Sequence, residues 1–248
     1  MNTATIEALW REYLQTFAEP RVKSELQSRW GGDLNVVQGR IQFSNPPTFQ
    51  PGYVGSHFVK SRTRILFIGN NPAESKLRSS QEDDKTYAKQ LSAFADGNLS
   101  FMQLSDFQAG QIVNWPIYRE KGIFSETGGT RIALLPADLR PSVRSVALLN
   151  PFPFRTVGNK KPLAGYGGGS ASLKVHMWEC LVRPTIEALA PNFIIRYPRS
   201  DEYHPQLEQL RSKPRVVRVL HPGDRNLRAQ REKLAESWST LAELLPNQ

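Results

Sequence analysis

The chain has 248 residues, 39% of them apolar, which suits one large domain or two small ones and excludes disorder as its main state. Its 32 basic residues against 23 acidic ones leave a formal charge of +9, which points to a polyanionic partner, nucleic acid first. A lone cysteine, Cys180, excludes an internal disulfide, a multi-cysteine zinc site and a cysteine-ligated iron–sulfur cluster.

The first element is helical. Ile6, Leu9, Trp10, Tyr13, Leu14 and Phe17 recur at helical spacing until Pro20 stops the pattern. This start, with Glu7 and Glu12 in it, is not a basic region followed by an apolar stretch. No apolar run in the chain approaches membrane length, so the expectation is a cytoplasmic protein with no membrane partner. Residues 31–60 carry Asn45-Pro46-Pro47 and Pro51-Gly52 and read as irregular connection. Residues 1–60 are thus expected to form a helix and an irregular extension packed on the core formed by residues 61–248.

Four short apolar runs follow, each ended by Asn, Pro or Gly and each strand-like: 64–68, 145–149, 193–197 and 216–220. Helical patterns separate them, over 81–122, over 172–190 with Leu173, Met177, Leu181 and Ile186, and over 227–244 with Leu227, Leu234, Trp238 and Leu241. Cys180 falls inside the second pattern and reads as a buried thiol. Strands alternating with helices predict an α/β fold, a three-layer α/β/α arrangement around a four-stranded, mostly parallel sheet with an N-terminal helical extension.

In such a sheet ligands bind outside the carboxyl ends of the strands, where strand order reverses. Gly69-Asn70-Asn71-Pro72-Ala73-Glu74 follows the first run, Asn150-Pro151-Phe152-Pro153-Phe154-Arg155 the second, and His221-Pro222-Gly223-Asp224 the fourth. Polar groups from three segments are expected on one rim.

In this order and on these strands, the three segments resemble the motifs of the uracil-DNA glycosylase superfamily over roughly residues 62–245. Gly69, Asn71 and Pro72 match its first motif, Asn150 its strand-end asparagine, and His221 with Pro222 its last motif. Arg155, Asn159, Lys160 and Pro162 fall near the spacing of a further motif of the cluster-bearing members. Three departures stand out. Phe154 occupies a loop position where cluster-bearing members have a cysteine, so no cofactor or metal is expected. Ala73 replaces the Tyr that crowds the pyrimidine 5-position in uracil-specific members. Arg225 stands where the family has an apolar wedge.

The resemblance implies a monofunctional DNA glycosylase that extrudes a pyrimidine and hydrolyses its glycosidic bond. His221 is then the donor that stabilises the departing base anion, and Asn71 aims the water at an oxocarbenium-like sugar. Glu74 either supplies negative charge to that sugar or is an exposed acid in the first turn of a helix. Asn150 reads the base edge, and because its amide can flip it serves uracil or cytosine alike. Phe152 and Tyr166 are the favoured stacking partners among Phe152, Phe154, Trp115, Tyr118 and Tyr166.

DNA-backbone contacts are expected from Arg155, Lys160, Lys161 and Lys174 in a loop holding Gly165, Gly167, Gly168 and Gly169, and from Arg225 and Arg228 in the basic stretch 211–233. The partner is DNA and the protein a monomer. Without the crowding Tyr, the base is either uracil or a pyrimidine with a bulky 5-substituent, such as a hypermodified phage cytosine, which would make the enzyme a defence factor. A non-catalytic binder of damaged or modified DNA is the alternative.

Overall fold

The computed structural model describes residues 3–17, 52–69, 78–113, 116–127, 133–151, 153, 175, 177–222 and 231–245. The chain is mixed α/β, and its strands β1 (Gly52–Val54), β2 (Ile65–Ile68), β3 (Val146–Leu149), β4 (Phe193–Arg196) and β5 (Arg215–Arg218) form one sheet in the order β1-β3-β2-β4-β5. Compact packing divides the chain into two units: Met1–Gly52, Gly69–Leu104 and Leu149–Leu189 in the first, and Tyr53–Ile68, Ser105–Leu148 and Ala190–Gln248 in the second.

All four expected strands are present, but the sheet has five. The extra strand, β1, lies in the segment read as irregular, because Gly-Tyr-Val is too short to show a period and sits among prolines and glycines. Long-range pairing makes it a strand. Gly55 N–H donates to Val146 O and His57 N–H to Arg144 O, each at 2.9 Å, and this opposed numbering is the antiparallel pattern. A Cβ on Gly55 would overlap the Arg144 carbonyl, so the close approach of the two chains requires glycine.

The parallel part is in register, with Ile68 beside Arg196 and Arg196 beside Arg218. β2 and β3 are buried at every position, the continuous apolar run of a strand covered on both faces. The edge strand β5 exposes Arg215 and Arg218, and charges of this kind discourage pairing with another chain.

Within the first unit, α1 (Thr3–Phe17) joins α2 (Arg78–Ala95), the start of α3 (Phe101–Val113) and α5 (Arg183–Leu189). The reason is visible in its buried stripe. Ile6 and Trp10 face inward, and the Trp10 ring meets Phe101 edge-to-face at 4.8 Å while its Nε1 donates to Thr185 Oγ1 at 3.1 Å. Ser100 and Gln103 form a capping box at the start of α3, with Gln103 N–H donating to Ser100 Oγ and Ser100 N–H to Gln103 Oε1. Glu7 Oε2 accepts from Phe101 N–H at 3.1 Å, and Arg11 donates to Phe94 O at 3.0 Å while lying over its ring.

A π-helical turn, Trp178–Val182, precedes α5. It buries Trp178, Leu181 and Val182 but leaves Cys180 only half-buried, which corrects the expectation of an enclosed thiol: Cys180 falls off the inward stripe.

The second unit is closed by α4 (Pro116–Lys121), α6 (His204–Glu208) and α7 (Arg231–Leu244). Phe67, Phe124, Val146, Ile195, Trp238 and Leu241 form the heart of its apolar core. The segment 125–127 is fastened to 142–143 by one carboxylate. Glu126 accepts from Ser142 Oγ, from Val143 N–H at 3.1 Å and from Ser125 Oγ at 3.1 Å. Partial burial raises the pKa of Glu126, but the hydrogen bonds outweigh it and hold the carboxyl below its ordinary value. Among the described residues, no helix is long and apolar enough to cross a membrane.

Candidate functional site

The strand order reverses beside β2, since the chain goes from β2 to β3 on one side and then to β4 and β5 on the other. The carboxyl ends of β2 and β4 are therefore where an α/β sheet places its ligand. Gly69 directly follows β2 and Tyr197 directly follows β4.

In the first unit, Gly69 N–H donates to Leu149 O at 2.9 Å and carries the β2–β3 ladder one residue past the strands. This bond brings Gly69 beside Asn150. A Cβ at Gly69 would lie 2.5 Å from Asn150 Oδ1, so glycine is the residue type that leaves the amide its place. Two of the sequence motifs, far apart in the chain, are thus in contact.

Asn150 is half-buried and, with Trp10, Leu149, Leu181, Val182 and Thr185, lines a narrow crevice that has no room for a water molecule. Thr185 closes this wall by donating to Leu181 O at 2.7 Å while accepting from Trp10. The crevice is a packed backing for Asn150. It is too small to hold a base.

In the second unit, the chain beyond β5 is pinned before it reaches His221. Val219 N–H donates to Arg196 O at 3.0 Å, Leu220 N–H to Ser237 Oγ at 2.7 Å, and Trp238 Nε1 donates to Leu220 O at 2.9 Å. His221 is half-buried, and its ring meets Tyr197 edge-to-face at 4.6 Å with an interplanar angle of 74°. Backbone anchors and ring contact together restrict the imidazole's orientation, which is what a preorganised donor needs.

Tyr197 belongs to a buried group with Tyr53 and Tyr118. Burial pushes all three phenols up, Tyr118 to about 12, and the neighbouring phenol Tyr118 adds to the rise at Tyr53 and Tyr197. The hydroxyls of Tyr118 and Tyr197 are near enough to influence one another, yet the buried Tyr53 and Tyr197 hydroxyls have no hydrogen bond of normal geometry.

Of the expected site residues, Asn150 and His221 are placed, each in its own unit. Asn71, Ala73, Glu74, Phe152, Phe154, Arg155, Lys160, Lys161, Tyr166, Lys174, Arg225 and Arg228 lie outside the described residues, as does Trp115. Tyr118 is no stacking platform: it is 4% exposed and packs on Phe124 in the core, where its ring completes the apolar cluster. The relation of Tyr197, Ser237 and Trp238 to His221 escaped the sequence reading, because it comes from strand pairing and helix docking. The one local signal was aromatic: Tyr197 ends an apolar run.

No protein-family model matches the chain, and no curated protein matches it significantly.

Proposed function

We propose that the chain is an α/β DNA glycosylase similar to the uracil-DNA glycosylase superfamily, with helices on both faces of the sheet and DNA as its partner. The observation that carries this reading is the contact between Gly69 and Asn150, which joins the first motif to the strand-end asparagine at the carboxyl ends of neighbouring strands. The anchored, half-buried imidazole of His221 supports it.

In the proposed reaction, a flipped pyrimidine is held with its edge against Asn150, and Phe152 or Tyr166 stacks on its face. The C1′–N1 bond breaks and its electron pair leaves with the base. His221 donates a hydrogen bond to the base carbonyl as negative charge develops there, an interaction of a kind worth about 3–4 kcal/mol. Asn71 aims a water whose oxygen forms the new bond to C1′, Glu74 lies beside the sugar cation, and the water's proton passes to solvent. Arg155, Lys160, Lys161, Arg225 and Arg228 hold phosphates. The protein is monomeric, cytoplasmic and free of cofactor or metal in this reading, and Ala73 leaves room for a 5-substituent, so the substrates are uracil or a 5-modified pyrimidine, hypermodified phage cytosine included.

The test is abasic-site formation in single- and double-stranded DNA carrying uracil, hypoxanthine or 5-substituted cytosines, read as alkali-labile breaks. Asn71→Ala and His221→Ala are each expected to lower excision about 100- to 1,000-fold without unfolding the protein. A preference for uracil unaltered by Ala73→Tyr would remove the modified-base assignment. The second reading is a non-catalytic binder of damaged or modified DNA. Binding of these DNAs with no break in any of them would establish it.

A further inference from the structure

The amino-terminal end of the sheet, within the second unit, carries a separate charged feature. His57, Lys60, Ser61, Arg62, Thr63 and Ser145 line an open cleft of about 490 Å3, inside the range of about 300–1,000 Å3 typical of binding pockets. Local folding shapes it. Phe58 N–H donates to Gly55 O at 2.9 Å and Lys60 N–H to His57 O at 3.0 Å, making a tight 3-10 turn over Phe58–Lys60. Ser61 Oγ then contacts the carbonyls of His57 and Ser145 at 3.0 and 3.3 Å, which ties the turn to the segment entering β3.

These bonds use the backbone N–H groups and leave His57, Lys60 and Arg62 exposed on the rim. The charged residues that line the cleft are all basic. Residues 52–69 and 139–151 contain no acidic residue, while Arg64 and Arg144 add two further cations. Among the described residues no carboxylate pairs with His57, Lys60 or Arg62, and Glu126 is committed to Ser125, Ser142 and Val143. Cations gathered around a concavity with no carboxylate paired to them among the described residues raise the local concentration of anions.

The shape of the cleft separates two kinds of anion. A small-ligand pocket encloses most of its ligand behind mainly apolar walls, whereas this cleft is open and edged by Lys, Arg, His and hydroxyl groups. Those are the side chains that contact the nucleic-acid backbone. We propose that this cleft binds backbone phosphates of a nucleic-acid strand, as a site separate from the loops that follow β2, β3 and β5. It requires no glycosidic cleavage and stands apart from the catalytic reading.

The experiment measures binding of the full chain to a short undamaged DNA duplex by fluorescence anisotropy over a range of salt concentrations. For Lys60→Gln with Arg62→Gln, the slope of log affinity against log salt is expected to flatten by about 1.8, at about 0.9 for each phosphate contact, with roughly tenfold weaker binding per contact at moderate salt. Lys89→Gln, which removes one positive charge at an exposed position of the first unit, is expected to leave the slope nearly unchanged instead of flattening it by the roughly 0.9 of one phosphate contact. An unchanged slope in the double variant, or a flattening of about 0.9 by Lys89→Gln, overturns the proposal. In the unsubstituted protein, the amide resonances of residues 57–63 should shift on titration with the duplex, and their immobility overturns it independently of any variant's folding. Calorimetry with inorganic phosphate and pyrophosphate completes the test: cleft-dependent binding of these small anions without an effect on the duplex also overturns the strand assignment.

Discussion

Asn150 Oδ1 occupies the space that a side chain at Gly69 would fill, 2.5 Å from the position of a Cβ. Gly69→Ala therefore displaces the Asn150 amide, or strains the Gly69 N–H bond to Leu149 O, at a point where the strand ladder continues. A shift near 1 Å at a positioning group can cost about 100-fold in rate. In the proposed glycosylase reaction, base excision by Gly69→Ala is expected to fall by that order while the protein remains folded. Excision at the unsubstituted rate would separate Asn150 from base recognition.

The contact between Tyr197 and His221 predicts opposite outcomes for two substitutions. Tyr197→Phe keeps the ring against His221 and deletes a buried hydroxyl whose polar neighbour is Tyr118, so stability should change by no more than about 1 kcal/mol. Tyr197→Leu removes the edge-to-face contact, worth about 0.5–1.5 kcal/mol beyond burial, and should move the His221 ring resonances. Chemical denaturation and imidazole NMR measure both. Equal loss of stability in the two variants would place the importance of Tyr197 in its hydroxyl.

Three buried phenols make the fold sensitive to alkali. Their folded pKa values are raised above the unfolded value of 10.0, so their contribution is complete below pH 10 and is lost as pH rises towards the folded value, about 12 for Tyr118. Each such phenol steepens the decline by up to about 1.4 kcal/mol per pH unit in that window. Melting temperature should drop from about pH 9 to about pH 11, a range that brackets the free phenol, and Tyr118→Phe should make the drop shallower. A flat profile would mean that the phenols ionise without unfolding.

Glu126 produces the opposite sign at the acid end. Its folded pKa is lowered, so its stabilisation is present above the unfolded value of 4.5 and is lost as pH falls through the lower folded value. The side chain is partly exposed, and after solvent screening its contribution is about 1 kcal/mol or less. Glu126→Gln should lower stability by that amount at neutral pH and have little effect in acid. A penalty independent of pH would assign the loss to packing instead of charge.

Much of the scaffold was legible without coordinates. The four apolar runs became β2 to β5 within one or two residues, because a buried parallel strand is a local stretch of Ile, Leu, Val and Phe, and the helical patterns from Ile6 to Phe17, over 81–122, over 172–190 and over 227–244 carried the same kind of local signal for the helices found there. Gly69, Asn150 and His221 could also be singled out, since each ends or follows a strand. β1 could not be read, because three residues beside Pro51 hold no period and become a strand only by pairing with β3.

The sequence by itself determined four of the five strands, the helical stretches between them and which polar residues follow those strands, since apolar periodicity and strand-ending residues act over a few neighbours. Tertiary structure alone decided that Gly69 touches Asn150, that Tyr197 holds His221, that the crevice behind Asn150 is packed shut, and that His57, Lys60 and Arg62 surround one cleft. Those relations depend on which strands lie side by side and in what register, and register is set by the burial of whole faces and by long-range hydrogen bonds, which no local pattern of residues records.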